Sequence, residues 1–191
     1  MVYKIDSGHM IVESTCLDPQ NGDILWTSTS FCTDTGLYNN NVYSLEEKMF
    51  YIKNLSFVEA WNFSDPSKHP TLVWETYVPG SGRVGSGISY GDGKVFPGSF
   101  QTVQMALDAK TGEVVWTTLT KSPMIFQGAY ADGMFVRGGT DDNTMYCFNA
   151  TDGEIVWTYT PDTDGYFTVG CAVAYGIVLS LIHISEPTRP Y

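Results

Sequence analysis

The sequence is poor in cysteine and in basic residues, and it has no long apolar run. Its four cysteines, Cys16, Cys32, Cys147 and Cys171, form no CxxC, no CxxCH and no adjacent pair. They are too few and too scattered for a disulfide framework or a zinc site, so we expect thiols buried in strands. The absence of a window of about 18 apolar residues excludes a transmembrane helix. The first ten residues also lack the apolar stretch of a signal peptide.

Acidic residues outnumber basic ones. The 21 Asp and Glu residues against 10 Lys and Arg residues give a formal net charge of −11. Such a surface repels phosphate groups, which excludes nucleic acid and acidic lipid headgroups as partners. The hydrophobic content of 43% over 191 residues is that of an ordinary globular protein with one good core.

Three copies of one segment end in tryptophan. CLDPQNGDILW ends at Trp26, ALDAKTGEVVW at Trp116 and CFNATDGEIVW at Trp157. In each copy an Asp or Asn lies eight residues before the Trp, and a Gly stands between the two. A fourth copy runs from Asn62 to Trp74, but it is four residues longer in the turn and lacks the Gly.

The spacing and composition of these copies predict propeller blades. The steps between successive tryptophans are 48, 42 and 41 residues, close to the length of a four-stranded blade. The segments alternate and are rich in aromatic and β-branched residues, which excludes helical repeats of similar period. A hairpin signal recurs upstream of the motif at Gly93 and Gly133 and, in degenerate form, near Lys48 and Gly176. We therefore predict an all-β fold, an incomplete β-propeller with about four antiparallel four-stranded blades and a started fifth.

Each part of the motif has a structural role. The Asp or Asn side chain can accept backbone N–H bonds within the turn, and the Gly takes the left-handed conformation that other side chains resist. The Trp lies on the outermost strand, where its ring covers the seam to the next blade and its N–H finds a backbone carbonyl. A carbohydrate-binding platform is the functional alternative for the aromatic side chains.

The pattern is clearest from Ala106 to Trp116, and it closely resembles the tryptophan-docking motif of the quinoprotein, or PQQ-like, repeat family. WD and kelch repeats fit less well, because neither a Gly-His start nor a paired-glycine register is present. The resemblance covers Cys16 to Gly176 and implies that the motif locks neighbouring blades. The docking residues that it implies are Asp18, Gly22, Trp26, Trp74, Asp108, Gly112, Trp116, Asn149, Gly153 and Trp157.

Two functional classes share such repeats. PQQ-dependent alcohol and sugar dehydrogenases hold the quinone and a calcium ion on the propeller axis, and several carry an adjacent Cys pair and a haem motif, neither of which occurs in this sequence. Cofactor-free propellers act as scaffolds or binding platforms, including outer-membrane assembly lipoproteins and secreted surface proteins. We therefore expect a fragment of an extracytoplasmic propeller, secreted, periplasmic or at the cell surface. It would bind a protein or small-molecule ligand with no evident cofactor. The alternative is a dehydrogenase with PQQ and calcium.

Ligand contacts are expected on the loops of one propeller face. The connections between blades that form this face are Ser30 to Asn41, Tyr77 to Gly87, Leu119 to Ile125 and Pro161 to Phe167. Two acidic loops, PDTDGY and TDDN, are interpreted as solvated turns, with calcium as the alternative reading of the first. Because His9 and His69 are isolated, no catalytic or metal-binding residue is assigned.

The end of the chain departs from the repeat. Residues 179–191, LSLIHISEPTRPY, stand where the next middle strand should continue. Leu179 to Arg189 resembles the translation of a transposon-type sequencing-library adapter. We therefore divide the chain into a partial propeller, 1–178, and a non-native tail, 179–191, the alternative being that LSLIHI is a real strand. An incomplete ring is expected to expose apolar surface and open strand edges.

Overall fold

The structure, a computed structural model, describes residues 2–6, 9–18, 20–28, 41–54, 56–65, 67–80, 87–162 and 166–183. Within these ranges the chain forms strands, turns and bends, and no helix. No described helix could therefore cross a membrane. The strands form five antiparallel sheets, each made of consecutive strands, and we refer to these sheets as blades 1 to 5.

The strands of each blade follow one another along the chain. Blade 1 comprises β1 (Val2–Asp6), β2 (His9–Leu17) and β3 (Ile24–Ser28). Blade 2 comprises β4 (Asn41–Ser44), β5 (Met49–Asn54), β6 (Phe57–Asn62) and β7 (Thr71–Tyr77). Blade 3 comprises β8 (Ile88–Gly91), β9 (Lys94–Pro97), β10 (Val103–Asp108) and β11 (Val114–Leu119). Blade 4 comprises β12 (Ala129–Ala131), β13 (Met134–Gly138), β14 (Met145–Asn149) and β15 (Ile155–Tyr159). Blade 5 comprises β16 (Tyr166–Ala174) and β17 (Ile177–His183).

Neighbouring blades meet chiefly through their first strands. β4 and β5 lie against β8, β8 lies against β12, and β12 and β13 lie against β16. The Trp-containing strands β3, β7, β11 and β15 lie at the opposite edge of their sheets. This arrangement confirms the predicted fold class, an all-β incomplete propeller with four Trp-bearing blades and a started fifth. The described sheets do not close into a ring.

The hairpins that open the later blades use left-handed residues. In blades 3, 4 and 5 both central residues of the first hairpin have positive φ, and they are Asp92 and Gly93, Asp132 and Gly133, and Tyr175 and Gly176. Two successive positive φ angles give a turn whose twist matches that of the flanking strands. The recurrent Gly of the sequence thus lies where a tight connection requires it.

Each outer strand carries a β-bulge immediately before its tryptophan. Trp116 lies opposite Ala106, whereas Val114 lies opposite Leu107, which leaves Val115 as the extra residue. The same shift precedes Trp26, Trp74 and Trp157. The four extra residues are apolar and exposed, and they are Leu25, Val73, Val115 and Val156. A bulge of this kind bends and twists the strand that contains it.

The apolar side chains are buried between blades. Tyr51 and Val58 of blade 2 pack with Val95 and Leu107 of blade 3. At the next seam, the ring of Phe96 stacks on that of Phe135 with centroids 4.2 Å apart. Because each cluster draws on two adjacent sheets, the blades are held together by burial of apolar surface as well as by their connections.

The last part of the described chain pairs with β16. Leu179 lies opposite Ala172 and Ser180 opposite Cys171, so residues 179–183 are the last five residues of β17. Residues 184–191 of the predicted tail lie outside the described residues. The division of the chain at residue 178 stays a prediction.

Candidate functional site

The predicted docking turns have one shared geometry. In the turn of blade 3, Oδ1 of Asp108 accepts the backbone N–H bonds of Lys110 at 2.9 Å and Thr111 at 2.8 Å. The amide of Gly112 donates to the carbonyl of Asp108 at 2.9 Å, and the φ of Gly112 is +74°. The bond from Thr111 is the main reason why the pKa of the Asp108 carboxyl is lowered.

The turns of blades 1 and 4 repeat this arrangement. Oδ1 of Asp18 accepts the amide of Gln20 at 2.8 Å, and Oδ1 of Asn149 accepts the amide of Thr151 at 2.9 Å. The amides of Gly22 and Gly153 donate to the carbonyls of Asp18 and Asn149, and these glycines have φ of +80° and +78°. Asn can replace Asp because one side-chain oxygen in this position is sufficient.

Trp74 of blade 2 lies on the turn of blade 3. Its Nε1–H donates to the carbonyl of Ala109 at 3.0 Å, and the hydroxyl of Thr76 donates to the carbonyl of Gly112 at 2.7 Å. A Cβ added to Gly112 would lie 2.6 Å from Cδ2 and Cε3 of Trp74. Gly112 is therefore required twice, once for its left-handed backbone and once because the indole ring occupies the space of a side chain.

Trp116 of blade 3 makes the same contacts with the turn of blade 4. Its Nε1–H donates to the carbonyl of Ala150 at 3.0 Å, and Thr118 donates to the carbonyl of Gly153 at 2.6 Å. A Cβ on Gly153 would lie 2.5 Å from the same two ring atoms. Trp116 is 7% exposed, so the contact is desolvated. The structure thus brings Trp74 and Gly112 together at one seam and Trp116 and Gly153 at the next.

The first seam differs because the turn of blade 2 lacks the glycine. Trp26 packs edge-on against Phe63, with ring centroids 5.8 Å apart, and lies 5.5 Å from the ring of His69. His69 also shares a 2.7 Å contact between its Nδ1 and the carbonyl of Pro70. In this longer turn, aromatic side chains replace the flat backbone surface that glycine provides elsewhere.

Two predicted docking residues have no docking partner among the described residues. Trp157 is 39% exposed and borders a cavity of about 290 Å³ whose other lining residues include Phe167 and Val178. At the opposite end, a Cβ added to Gly22 would meet no atom within 4 Å. Among the described residues, Trp157 of blade 4 thus has no docking turn, and the docking turn of blade 1 has no tryptophan.

Sequence reasoning predicted that the indole N–H would meet a backbone carbonyl, but it did not identify the accepting residues and it missed the hydroxyl donors. The two carbonyl acceptors belong to Ala109 and Ala150, each directly after the Asp or Asn of the motif. The two hydroxyl donors, Thr76 and Thr118, each lie two residues after a Trp. The W-x-T spacing was visible in the sequence and could have predicted the second pair. At Trp157 the residue in this position is Tyr159.

A buried arginine side chain of blade 4 forms hydrogen bonds with blade 3. Arg137 is fully buried on β13, and its guanidinium donates to the carbonyls of Pro97 and Phe96 at 2.8 and 3.0 Å and to Oε1 of Gln104 at 2.8 Å. Burial lowers the pKa of Arg137 to about 9, and burial together with the charge of Arg137 lowers the pKa of Lys53 to about 8. The guanidinium therefore remains charged at neutral pH and binds the neighbouring blade.

Backbone hydrogen bonds tie the connections on one propeller face to each other. We define the loop face as the described loops 98–102, 120–128 and 139–144. Ser99 and Met124 exchange two backbone bonds of 3.0 Å, and Thr140 donates its amide and its hydroxyl to the carbonyl of Pro123 at 3.0 and 2.7 Å. Tyr146 donates to Oδ2 of Asp142. Burial, followed by this bond, raises the pKa of Tyr146 to about 12.

The remaining predicted loops are only partly described. Residues 29–40 and 81–86 lie outside the described residues, as do residues 163–165 of the PDTDGY loop. In the TDDN loop, Asp142 bonds Tyr146 and the amide of Thr144, and Asn143 has a φ of +51°. Asp141 is exposed.

The cysteines of the described ranges lie in strands, and no disulfide joins them. Cys147 is buried, whereas Cys16 and Cys171 are half-buried, and Cys32 lies outside the described residues. Burial raises the pKa of the Cys147 and Cys171 thiols. Cys16 and Cys147 lie opposite Trp26 and Trp157, so the two thiols occupy equivalent positions in blades 1 and 4.

No three His, Cys, Asp or Glu side chains come together as metal ligands within the described ranges. Calcium also takes backbone and amide oxygens as ligands, so the expectation of no evident cofactor and its alternative, PQQ with calcium, both stay predictions.

Comparison with known proteins places the chain in a family. The profile of the family described as "Outer membrane protein assembly factor BamB" matches residues 11–175, most of blades 1 to 5. The chain belongs to this family of PQQ-like repeat propellers. The family assignment confirms the resemblance inferred from the tryptophan motif.

Individual relatives of the family are more distant. Outer membrane protein assembly factor BamB of Yersinia pestis is 29% identical over 102 residues, which cover 52% of this chain and 26% of that protein. Putative dehydrogenase XoxF of Paracoccus denitrificans is 28% identical over 146 residues, which cover 71% of this chain and 22% of that protein. The chain thus spans about a quarter of the length of these curated relatives.

A solved structure shows the same fold. The crystal structure of BamB from Moraxella catarrhalis superposes with a TM-score of 0.66 at 16% identity. The superposition covers 84% of this chain and 47% of that chain. At this identity the likeness concerns the propeller architecture.

Proposed function

We propose that this chain is part of an extracytoplasmic propeller that binds protein partners through its loop face and acts as a scaffold in outer membrane protein assembly. The observation that carries the proposal is the set of hydrogen bonds that joins neighbouring loops on the loop face. The loops of blades 3 and 4 are joined by the Ser99–Met124 pair and by both bonds of Thr140. A surface that is already ordered loses little conformational entropy when a partner binds.

The family supports this assignment. Its profile carries the description of an outer membrane protein assembly factor, and it matches 11–175 of this chain. The partner would contact exposed polar groups of the loop face, among them Gln101, Lys121 and Asp141. The opposite face is formed by hairpins and docking turns, whose carbonyls accept hydrogen bonds within the blade and from the Trp strand of the preceding blade.

Site-specific photocrosslinking tests the proposal. The chain is directed to the periplasm of a Gram-negative host with a photoreactive amino acid at Gln101 or Asp141 on the loop face, or at Glu113 or Asp152 on the turn face as matched exposed controls. We expect adducts with outer membrane assembly proteins from the first pair and none from the second. Equal labelling from both faces, or no adduct from either, would contradict the proposal.

A dehydrogenase is the second candidate function. It is favoured by the 28% identity with the putative dehydrogenase XoxF over 71% of this chain. In that case the whole propeller would hold PQQ and calcium. Incubation with both, followed by dye reduction with alcohols and sugars, tests it. Substrate-dependent reduction that requires the quinone would place the chain in the enzyme class, and its absence together with loop-face adducts would support the scaffold.

A further inference from the structure

A cleft lies between the outer strands of blades 3 and 4. Its volume is about 410 Å³, within the range of about 300–1,000 Å³ that is usual for small-molecule sites. Both blades are complete four-stranded sheets with a described blade on either side, so the cleft belongs to an internal seam. The residues that line it are Leu119, Thr120 and Lys121 of blade 3 and Thr144, Tyr146, Ile155, Thr158 and Thr160 of blade 4.

The register of the strands shows which residues take the same positions at the seam between blades 2 and 3. Ala106 lies opposite Trp116 in blade 3, as Cys147 lies opposite Trp157 in blade 4. Counted from these residues and from Trp74, three positions of the cleft have apolar counterparts at the earlier seam. They are Val78 for Thr120, Val103 for Thr144 and Met105 for Tyr146. Side chains that are apolar at one seam thus carry hydroxyl groups at the next.

The earlier seam shows that blades pack well without these hydroxyls. Val78 is fully buried and Met105 is 4% exposed, and both belong to the apolar cluster that blades 2 and 3 share. Thr120 is only half-buried, and its hydroxyl donates to the carbonyl of Ser122 at 2.8 Å. Because burial of apolar surface holds the neighbouring seam together, the hydroxyl groups and the open space indicate a polar ligand in the cleft.

The cleft offers hydrogen-bond donors, hydrogen-bond acceptors and one cation. The hydroxyls of Thr144 and Thr160 lie 2.8 Å apart, and Thr158 is exposed on the same wall. Each hydroxyl can donate one hydrogen bond and accept others. The ammonium of Lys121 forms no ion pair within the described ranges, so it can bind an anionic group. Ile155 adds an apolar side chain to these polar groups.

We propose that this cleft binds an acidic saccharide. A sugar ring carries several hydroxyl groups that both donate and accept, and the threonine hydroxyls match them. Its C–H groups can pack on Ile155, and a carboxylate on the sugar can meet the ammonium of Lys121. This binding goes beyond the proposed scaffold role and is independent of it.

Titration of the ¹⁵N-labelled full chain with D-glucuronate, followed by its amide resonances, tests the proposal. D-glucose carries only the sugar ring and acetate only the carboxylate. Thr158→Val removes a hydroxyl of the cleft, and Thr117→Val, at the equivalent exposed position of blade 3, is its control. Lys121→Met removes the ammonium, and Lys68→Met, at an exposed position of blade 2, is its control. Circular dichroism verifies that all four variants retain the β-sheet signal.

We expect glucuronate to shift the amide resonances of Thr120 and Thr160 and to bind at least about tenfold more tightly than glucose or acetate. Lys121→Met should lower the affinity for glucuronate to that for glucose, and Thr158→Val should weaken the binding of both sugars about fivefold. Both controls should bind like the wild type. A wild-type chain without a saturable shift overturns the proposal. So does equal binding of glucuronate and either single-group probe, or a loss of affinity in the controls that matches the loss in the variants.

Discussion

At the scale of single residues, the seams depend on atoms that face each other across two blades. The indole N–H of Trp74 and of Trp116 reaches a backbone carbonyl of the next blade, and a threonine hydroxyl does the same two residues later. A buried carbonyl without a donor costs about 1–3 kcal/mol. Each seam is therefore sensitive to substitutions that leave the hydrophobicity of the ring unchanged.

The glycine beneath Trp116 gives a direct prediction. Gly153→Ala introduces a Cβ 2.5 Å from the ring of Trp116 at a φ of +78°. We expect it to lower the free energy of unfolding by about 2–4 kcal/mol, because overpacking adds to backbone strain. Gly133→Ala, at a φ of +77° with no neighbour within 4 Å, should show only the strain, about 1–2 kcal/mol. Urea unfolding of both variants measures the difference, and equal losses would refute the packing argument.

At the scale of strands and turns, the sequence predicted most of what is formed locally. The Asp, Gly and Trp of each copy lie within one turn and one strand, and the structure places Gly112 and Gly153 at the left-handed position that the motif requires. The role of Arg137 could not be predicted this way, because its acceptors lie 33 to 41 residues away on β9 and β10. Contacts between blades depend on the order of strands around the axis, which no local pattern contains.

The contacts that join the loops of the loop face could not be predicted from a local pattern either. The segments that connect blades were predicted from the repeat, but the bonds that join them, such as Thr140 to Pro123, have no sequence signature. The longer docking turn of blade 2 could likewise be predicted only in part. The missing glycine of blade 2 was visible in the sequence, whereas its replacement by Phe63 and His69 beneath Trp26 depends on the path of the longer turn.

The hairpin of blade 5 gives a prediction for an element. Tyr175 has a φ of +53° and is fully exposed, so its side chain contributes no buried contact. Because Asn accepts this conformation at lower cost and Asn-Gly is a favoured two-residue hairpin turn, Tyr175→Asn should stabilise the β16–β17 hairpin by about 0.5–1 kcal/mol. Amide hydrogen exchange at Val173 and Val178 should slow accordingly. Asp132→Asn, in a hairpin that already has a favourable residue, serves as the control, and faster exchange in Tyr175→Asn would contradict the expectation.

At the scale of the whole molecule, the buried cations make stability depend on pH. Burial lowers the pKa of Lys53 from 10.5 to about 8 in the folded chain. Between these values the unfolded state binds more protons, so the contribution of Lys53 to stability rises with pH. Removal of the amine should therefore change the free energy of unfolding most below pH 8.

Lys53→Met tests this linkage. Relative to the wild type, the variant should be more stable near neutral pH by up to about 3 kcal/mol, and the advantage should vanish as the pH rises from 8 to above 10. Urea unfolding across that range measures the difference between the two proteins, which cancels the titration of groups that they share. Lys121→Met, at an exposed position, should show a flat difference. A constant difference for Lys53→Met would exclude the buried amine as its cause.

The bulges that precede the four tryptophans also limit how the exposed outer strands of the blades can pair with strands of other proteins. Because β3, β7, β11 and β15 each break their regular hydrogen-bond spacing at the residue before the Trp, a foreign strand cannot add along the full length of these borders. These outer strands therefore resist amyloid-like strand addition even though they expose apolar side chains.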